Sequence, residues 1–108
     1  MSFDISGMDE GRFCFIGELC IFNASEIKPQ LLALAKGPEA CTIDLAQVSE
    51  VDTAGLQLLL MAKREATRSG AHLRFTNHSE PVLEAVGLLG LAAELDDPRA
   101  EVSTGIAP

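Results

Sequence analysis

Apolar and polar residues alternate, or the chain runs almost continuously apolar, in four short stretches, which is the pattern of β-strands. We expect strands over residues 3–5, 12–19, 41–45 and 72–76. The early part of the second stretch is nearly all apolar, which favours a central place in a sheet. Residues 7–11 begin and end in glycine and predict a turn that joins the first two strands.

The first helix is predicted from apolar residues at helical spacing behind a polar cap residue. Asn23 and Ser25 can both serve as its N-cap. We prefer Ser25 because that start places Pro29 near the first turn, where a missing N–H and the bulk of the ring cost less than deeper in the helix. The Gly-Pro pair at residues 37–38 ends the helix.

The last helix is expected to begin after Ser79, with Pro81 in its first turn, and to reach about residue 87. Residues 88–95 are mostly apolar and predict a turn or short helix that closes over the sheet. The composition then shifts to Asp, Pro, Ser, Thr and Gly. We therefore expect residues 96–108 to form a flexible tail.

The central helix is the longest predicted element, and the rest of the chain is organised around its start. Residues 56–69 contain no Gly or Pro and stop at Gly70, a residue that adopts the left-handed helix cap without a Cβ penalty. Asp52 or Thr53 occupies the N-cap position, where a side-chain oxygen accepts from free first-turn amides. A hydroxyl at the positive end of a helix is a suitable place for a phosphate group.

Steps of three and four residues from the start of this helix give an outward face that includes Thr53, Gln57 and Met61. The leucines of the neighbouring stripe are expected in the core. Leu58 and Ala62 make the first two turns apolar almost all round, so they are either buried or exposed as part of a partner surface. Burial is the interpretation we favour, since scattered apolar residues near a surface need no special cause.

Strands separated by helices after an initial hairpin predict an α/β fold: a small mixed sheet of four or five strands with helices mainly on one face. At 108 residues the chain is one domain, residues 1–108, with its core over about residues 3–95. The absence of a long apolar run and of a signal-peptide pattern at the first residues predicts a cytoplasmic location without membrane insertion.

The net charge and the absence of known motifs disfavour several classes of partner and activity. The net charge of −8, from 8 basic and 16 acidic residues, disfavours nucleic acid and anionic membranes as partners. The sequence has no phosphate-binding glycine loop, which disfavours nucleotide binding, and no nucleophile elbow or zinc-protease motif. The three cysteines lack the close spacing of a zinc site and are expected to be buried reduced thiols. We expect no enzyme activity, no metal and no cofactor.

Four short motifs carry a resemblance to a known family. They are Gly-Glu-Leu at residues 17–19, Ile-Asp-Leu at 43–45, Val-Asp-Thr-Ala-Gly-Leu at 51–56 and Val-Gly-Leu-Leu-Gly-Leu at 86–91. In this order and spacing, over about residues 3–95, the chain resembles the STAS domains, named for sulphate transporters and anti-sigma factor antagonists. The resemblance implies a sheet of four or five strands with helices mainly on one face.

In the stand-alone STAS proteins that this chain resembles, the residue after the Asp of the central motif is phosphorylated by an anti-sigma factor with kinase activity of the GHKL type. That residue is Thr53 here. The resemblance implies that the unphosphorylated protein binds the anti-sigma factor and frees a sigma factor, that phosphorylation breaks this complex, and that a phosphatase reverses it. The chain departs from many phosphorylated members by Cys20 in place of Asp and by Thr in place of Ser at position 53.

The same motifs are also similar to the STAS subunit of phospholipid-transport ABC complexes, where a Thr at this site packs on the ATPase, and to small STAS proteins that accompany chemotaxis-type kinases. The leading hypothesis is an anti-sigma factor antagonist, monomeric or weakly dimeric, switched by phosphate on Thr53. The residues expected to bind the partner are Glu18, Ser49, Asp52, Thr53, Ala54, Gly55, Gln57, Leu58 and Met61.

Overall fold

The computed structural model of the chain describes residues 3–37 and 40–90. The elements are, in order, β1 (Phe3–Asp9), β2 (Arg12–Leu19), a 3₁₀ turn (Ile21–Asn23), α1 (Ala24–Ala35), β3 (Cys41–Val51), α2 (Thr53–Ser69), β4 (Leu73–Thr76) and α3 (Glu80–Leu89). Residues 91–95 of the predicted closing segment and the predicted tail, residues 96–108, lie outside the described residues.

The four strands form one mixed sheet in the order β1-β2-β3-β4. The β1–β2 pair is an antiparallel hairpin, whereas β2–β3 and β3–β4 are parallel. Crossovers between parallel strands are right-handed, so α1 and α2, which step the same way across the sheet, lie on the same face. The predicted α/β fold with a small mixed sheet is thus confirmed.

Apolar and polar residues alternate along the strands, and this alternation shows which face of the sheet the helices cover. In β3 and β4, Ile43, Leu45 and Phe75 are fully buried beneath the helices, while Asp44 and Arg74 point to the other face. Leu56 and Leu59 of α2 are also fully buried, which confirms the predicted inward leucine stripe. The core therefore lies between one face of the sheet and the three helices, and the strand ends and the opening turn of α2 remain at the surface.

Three predicted boundaries were wrong. The first strand runs to Asp9, not to residue 5, because β1 pairs with β2 up to Asp9–Arg12, so residues 7–9 of the predicted turn belong to the strand. The first helix begins at Ala24, not after Ser25, because the 3₁₀ turn continues directly into α1 and the Ala24 N–H bonds to Ile21 O. Pro29 consequently lies inside the helix. The third strand extends to Val51, six residues beyond the predicted end, because β2 continues to pair with it up to Leu19–Val51 through two register shifts.

The three cysteines are buried free thiols, as expected from their apolar surroundings. Burial raises the pKa of the Cys41 thiol above its ordinary value of 9.0. The thiolate, which is the reactive form, is therefore disfavoured at neutral pH. The thiol at position 41 packs in the core as a small apolar group, and its raised pKa is the opposite of what activates a nucleophile.

Candidate functional site

The junction between β3 and α2 is organised by the two oxygens of Asp52. Oδ1 accepts from the Gly55 N–H at 2.9 Å and so caps α2. Oδ2 accepts from the backbone N–H of Ile21 at 3.0 Å, which ties the distant 3₁₀ turn to the helix start. The backbone N–H of Asp52 donates to Leu19 O at 3.3 Å. One residue therefore joins the end of β2, the 3₁₀ turn and α2.

Thr53 follows as the first residue of α2, and its side chain is exposed. The N-cap is thus Asp52, one of the two residues that the sequence allowed. With the cap filled by a carboxylate, the Thr53 hydroxyl stands at the positive end of a 17-residue helix without a capping task. It is accessible to a protein that binds there or to an enzyme that transfers a phosphoryl group.

Gly55 brings the helix backbone against the end of β2. A Cβ at this position would lie 2.0 Å from Leu19 O, the same carbonyl that accepts from the Asp52 N–H. Such a separation is far below van der Waals contact, so only glycine fits here. The glycine of the central motif is therefore required for the close approach of α2 to β2.

The 3₁₀ turn is fixed by a buried amide. Asn23 is 3% exposed, and its Nδ2 donates to Glu18 O at 2.8 Å while its backbone N–H donates to Cys20 O at 3.0 Å. The side chains of Ile21 and Phe22 point outward beside the start of α2. The sequence reasoning missed this pair, because two apolar residues ahead of a helix follow neither helical nor strand periodicity.

Most of the predicted partner-binding residues are accessible, and two are not. Ser49, Thr53 and Gln57 are exposed, and Glu18, Asp52, Ala54 and Met61 are half-buried. Gly55 and Leu58 are buried, so the prediction that they contact a partner is corrected: Gly55 packs on Leu19, and Leu58 belongs to the core. We call the accessible residues of β3, α2 and the junction between them the Thr53 surface; they are Ser49, Asp52, Thr53, Ala54, Gln57 and Met61.

The surroundings of Thr53 are acidic. Residues 18–27 and 48–62 contain Glu18, Glu26, Glu50 and Asp52 but no Lys or Arg. They also contain no His, so no imidazole base accompanies the Thr53 hydroxyl. In the part of the chain that the structure describes, no three His, Cys, Asp or Glu side chains are grouped to hold a metal ion. The Thr53 hydroxyl therefore stands in acidic surroundings.

The chain is similar to one protein family and to several solved structures. A family model described as Mlab, STAS domain matches residues 16–96. A Thermotoga maritima protein assigned as an anti-sigma factor antagonist superposes with a TM-score of 0.68 at 20% identity, covering 84% of this chain and 80% of that one. The Bacillus cell fate determinant SpoIIAA in its phosphorylated form gives a TM-score of 0.62 at 17% identity, covering 85% and 86%. At such identities the structural matches show a shared fold.

The unphosphorylated form of the anti-sigma factor antagonist SpoIIAA gives a TM-score of 0.59 at 16% identity, with 77% of this chain and 79% of that one covered. No curated protein matches the sequence. Among residues 3–37 and 40–90, none of the helices is long and apolar enough to cross a membrane.

Proposed function

The chain belongs to the STAS domain family, and on that premise we propose that it is a regulatory module that binds a protein partner through the Thr53 surface. In the leading form of the proposal it is an anti-sigma factor antagonist, switched by phosphorylation of Thr53. Its partner is then an anti-sigma factor with GHKL-type kinase activity, and a phosphatase restores the binding form. The module itself is non-enzymatic and cytoplasmic and takes no cofactor.

The observation that carries the proposal is that Asp52 makes the structural contacts of the junction while the neighbouring Thr53 makes none of them and is exposed. The Asp52 carboxylate caps α2 and holds the 3₁₀ turn. Thr53 is exposed beside it and has no part in those contacts. A residue that is accessible and makes none of these contacts, yet lies beside a hydrogen-bonded junction, suits a modification site that must leave the fold intact.

Phosphorylation would change this surface without unfolding it. A phosphate adds about −1.5 to −2 charges and a tightly held hydration shell. The first-turn amides and the helix dipole accommodate that charge in the free protein. In a complex, however, the phosphate would have to be desolvated beside Asp52 and Glu50, both acidic. The modified protein is therefore expected to stay folded and to lose its partner.

A second function rests on the same surface. The STAS subunits of phospholipid-transport ABC complexes, which the central motif resembles, use a Thr at this site for packing against an ATPase. The threonine at position 53 and the half-buried Met61 two helical turns further along α2 fit such packing. In that case the module stabilises an ABC ATPase, and phosphorylation is not required. A chemotaxis-type kinase is a third partner class for the same surface.

Substitution of Thr53 by alanine tests the switch. The variant should incorporate no phosphate from the cognate kinase and ATP, because the acceptor hydroxyl is gone. Its free energy of unfolding should stay within about 0.5 kcal/mol of wild type, as for other exposed sites. Labelling is measured by mass spectrometry, and Thr67→Ala, a second exposed threonine of α2, is the matched control. Phosphate retained on Thr53→Ala would place the modification elsewhere and end the proposal for Thr53.

A further inference from the structure

The 3₁₀ turn presents an apolar pair next to the Thr53 surface. Ile21 is 63% exposed and Phe22 is 75% exposed, although both are large apolar side chains. Asp52 Oδ2 accepts from the Ile21 N–H at 3.0 Å, so the pair and Thr53 share one hydrogen-bonded junction. The two apolar side chains are therefore continuous with the surface proposed above to bind a partner.

The exposure of this pair is built into the fold. The turn that carries it is held by the Asp52 carboxylate on one side and by the buried Asn23 amide on the other. Apolar side chains that stay exposed in the free protein gain favourable free energy when a partner buries them. A rigid turn that keeps two such groups outward loses little conformational entropy when a partner covers them, which is the property of binding anchors.

The rim of the pair is negatively charged. Glu18 precedes the turn, Glu26 follows it in the first turn of α1, and Glu50 lies opposite Glu18 in the β2–β3 register. Glu26 and Glu50 are exposed, so cationic groups of a partner can reach both carboxylates.

We propose that Ile21 and Phe22 are the anchor residues of the interface, and that they dock into an apolar pocket rimmed by Lys or Arg on a partner protein. This inference rests on the proposed function and names the chemistry of the partner at that site. The basic rim of the pocket pairs with the exposed Glu26 and Glu50, while the apolar pair fills its centre.

The charge distribution argues against other occupants. An anionic membrane would be repelled by the four acidic residues around the pair. A second copy of the chain would bring the same acidic rim against itself, and like charges across an interface cost affinity. Phosphate on Thr53 still opposes docking to a partner with a basic rim, because exposed ion pairs at the rim contribute little whereas a buried dianion loses its hydration.

Photo-crosslinking in the cells that express the protein naturally tests the inference. The photoreactive residue p-benzoylphenylalanine is placed at position 22, at position 53 and, as a control, at position 88. Leu88 of α3 is 87% exposed and apolar, and it lies outside the Thr53 surface and the 3₁₀ turn. We expect one protein to crosslink from positions 22 and 53 and not from position 88.

Binding of that protein, once purified, is then measured by titration. Phe22→Ala should weaken binding by about 30-fold, the loss typical of an anchor residue. Leu88→Ala should leave the affinity unchanged, and the melting temperatures of both variants should match wild type, since both positions are exposed. The association rate should fall as salt rises, because the basic rim steers the encounter.

The alternative outcomes separate the two proposals. Crosslinking from position 53 alone, with full affinity in Phe22→Ala, overturns the anchor role and leaves the proposed function standing. Crosslinking from position 22 to lipid or to a second copy overturns the partner chemistry, and a salt-independent association rate removes the basic rim. No protein crosslink from either position ends both proposals.

Discussion

Replacement of Gly55 by alanine is expected to destabilise the domain by about 3 kcal/mol, at the upper end of the usual cost of overpacking. Helix propensity predicts the opposite sign, since alanine is about 1 kcal/mol better than glycine inside a helix. The contact decides the outcome, because the new methyl would lie 2.0 Å from Leu19 O. Moving that carbonyl also breaks its bond to the Asp52 N–H, so α2 must shift away from β2.

Denaturant unfolding of Gly55→Ala measures this effect. Gln57→Ala is the matched control, because Gln57 is exposed on the same helix two residues further on. It should change the free energy of unfolding by no more than about 0.5 kcal/mol. A Gly55→Ala variant as stable as wild type would show that α2 does not approach β2 as closely as described.

The second large effect is expected at Asp52. Asp52→Ala removes the acceptors for two backbone N–H groups, those of Gly55 and Ile21. Loss of an N-cap costs about 1 kcal/mol, and loss of a hydrogen bond to a charged acceptor costs a similar amount when water can replace it. We expect a total of about 2 kcal/mol, together with weaker partner binding because the 3₁₀ turn is released from the helix start.

Asp52→Asn separates the two tasks of the carboxylate. An asparagine caps a helix as well as an aspartate does, but its single carbonyl oxygen can serve only one of the two N–H groups. This variant should lose about half of the stability that Asp52→Ala loses. Amide hydrogen exchange at Ile21 should become faster while exchange in the first turn of α2 stays slow. Unchanged protection at Ile21 would contradict the connection described between the turn and the helix.

Much of the fold follows from local patterns in the sequence. The strands near Cys41 and Leu73 and the leucine stripe of α2 were predictable because burial on one face imposes a period of 2 on strands and about 3.6 on helices. The N-cap was predictable to within one residue, because only Asp52 and Thr53 offer a suitable oxygen before the helix. These features depend on neighbours in the chain, which a sequence displays directly.

What could not be predicted depends on contacts between distant segments. The extension of β3 to Val51 arises from pairing with β2 across two register shifts, and nothing in residues 46–51 signals it locally. The preferred Ser25 cap was wrong because the 3₁₀ turn, held by the bond from the Asn23 amide to Glu18 O five residues earlier, continues directly into α1. The second bond of Asp52, to Ile21, spans 31 residues. These long-range bonds also decide which side chains lie beside Thr53, so the apolar pair was missed.

Affinity capture with wild type and Thr53→Glu as parallel baits, from cells that express the protein naturally, tests the central claim most directly. The glutamate imitates part of the charge of a phosphate at the start of α2. We predict that wild type captures an ATP-binding anti-sigma factor kinase and that Thr53→Glu does not. Capture of an ABC ATPase by wild type would instead support the transporter subunit. Equal recovery of one partner by both baits would contradict a switch at Thr53.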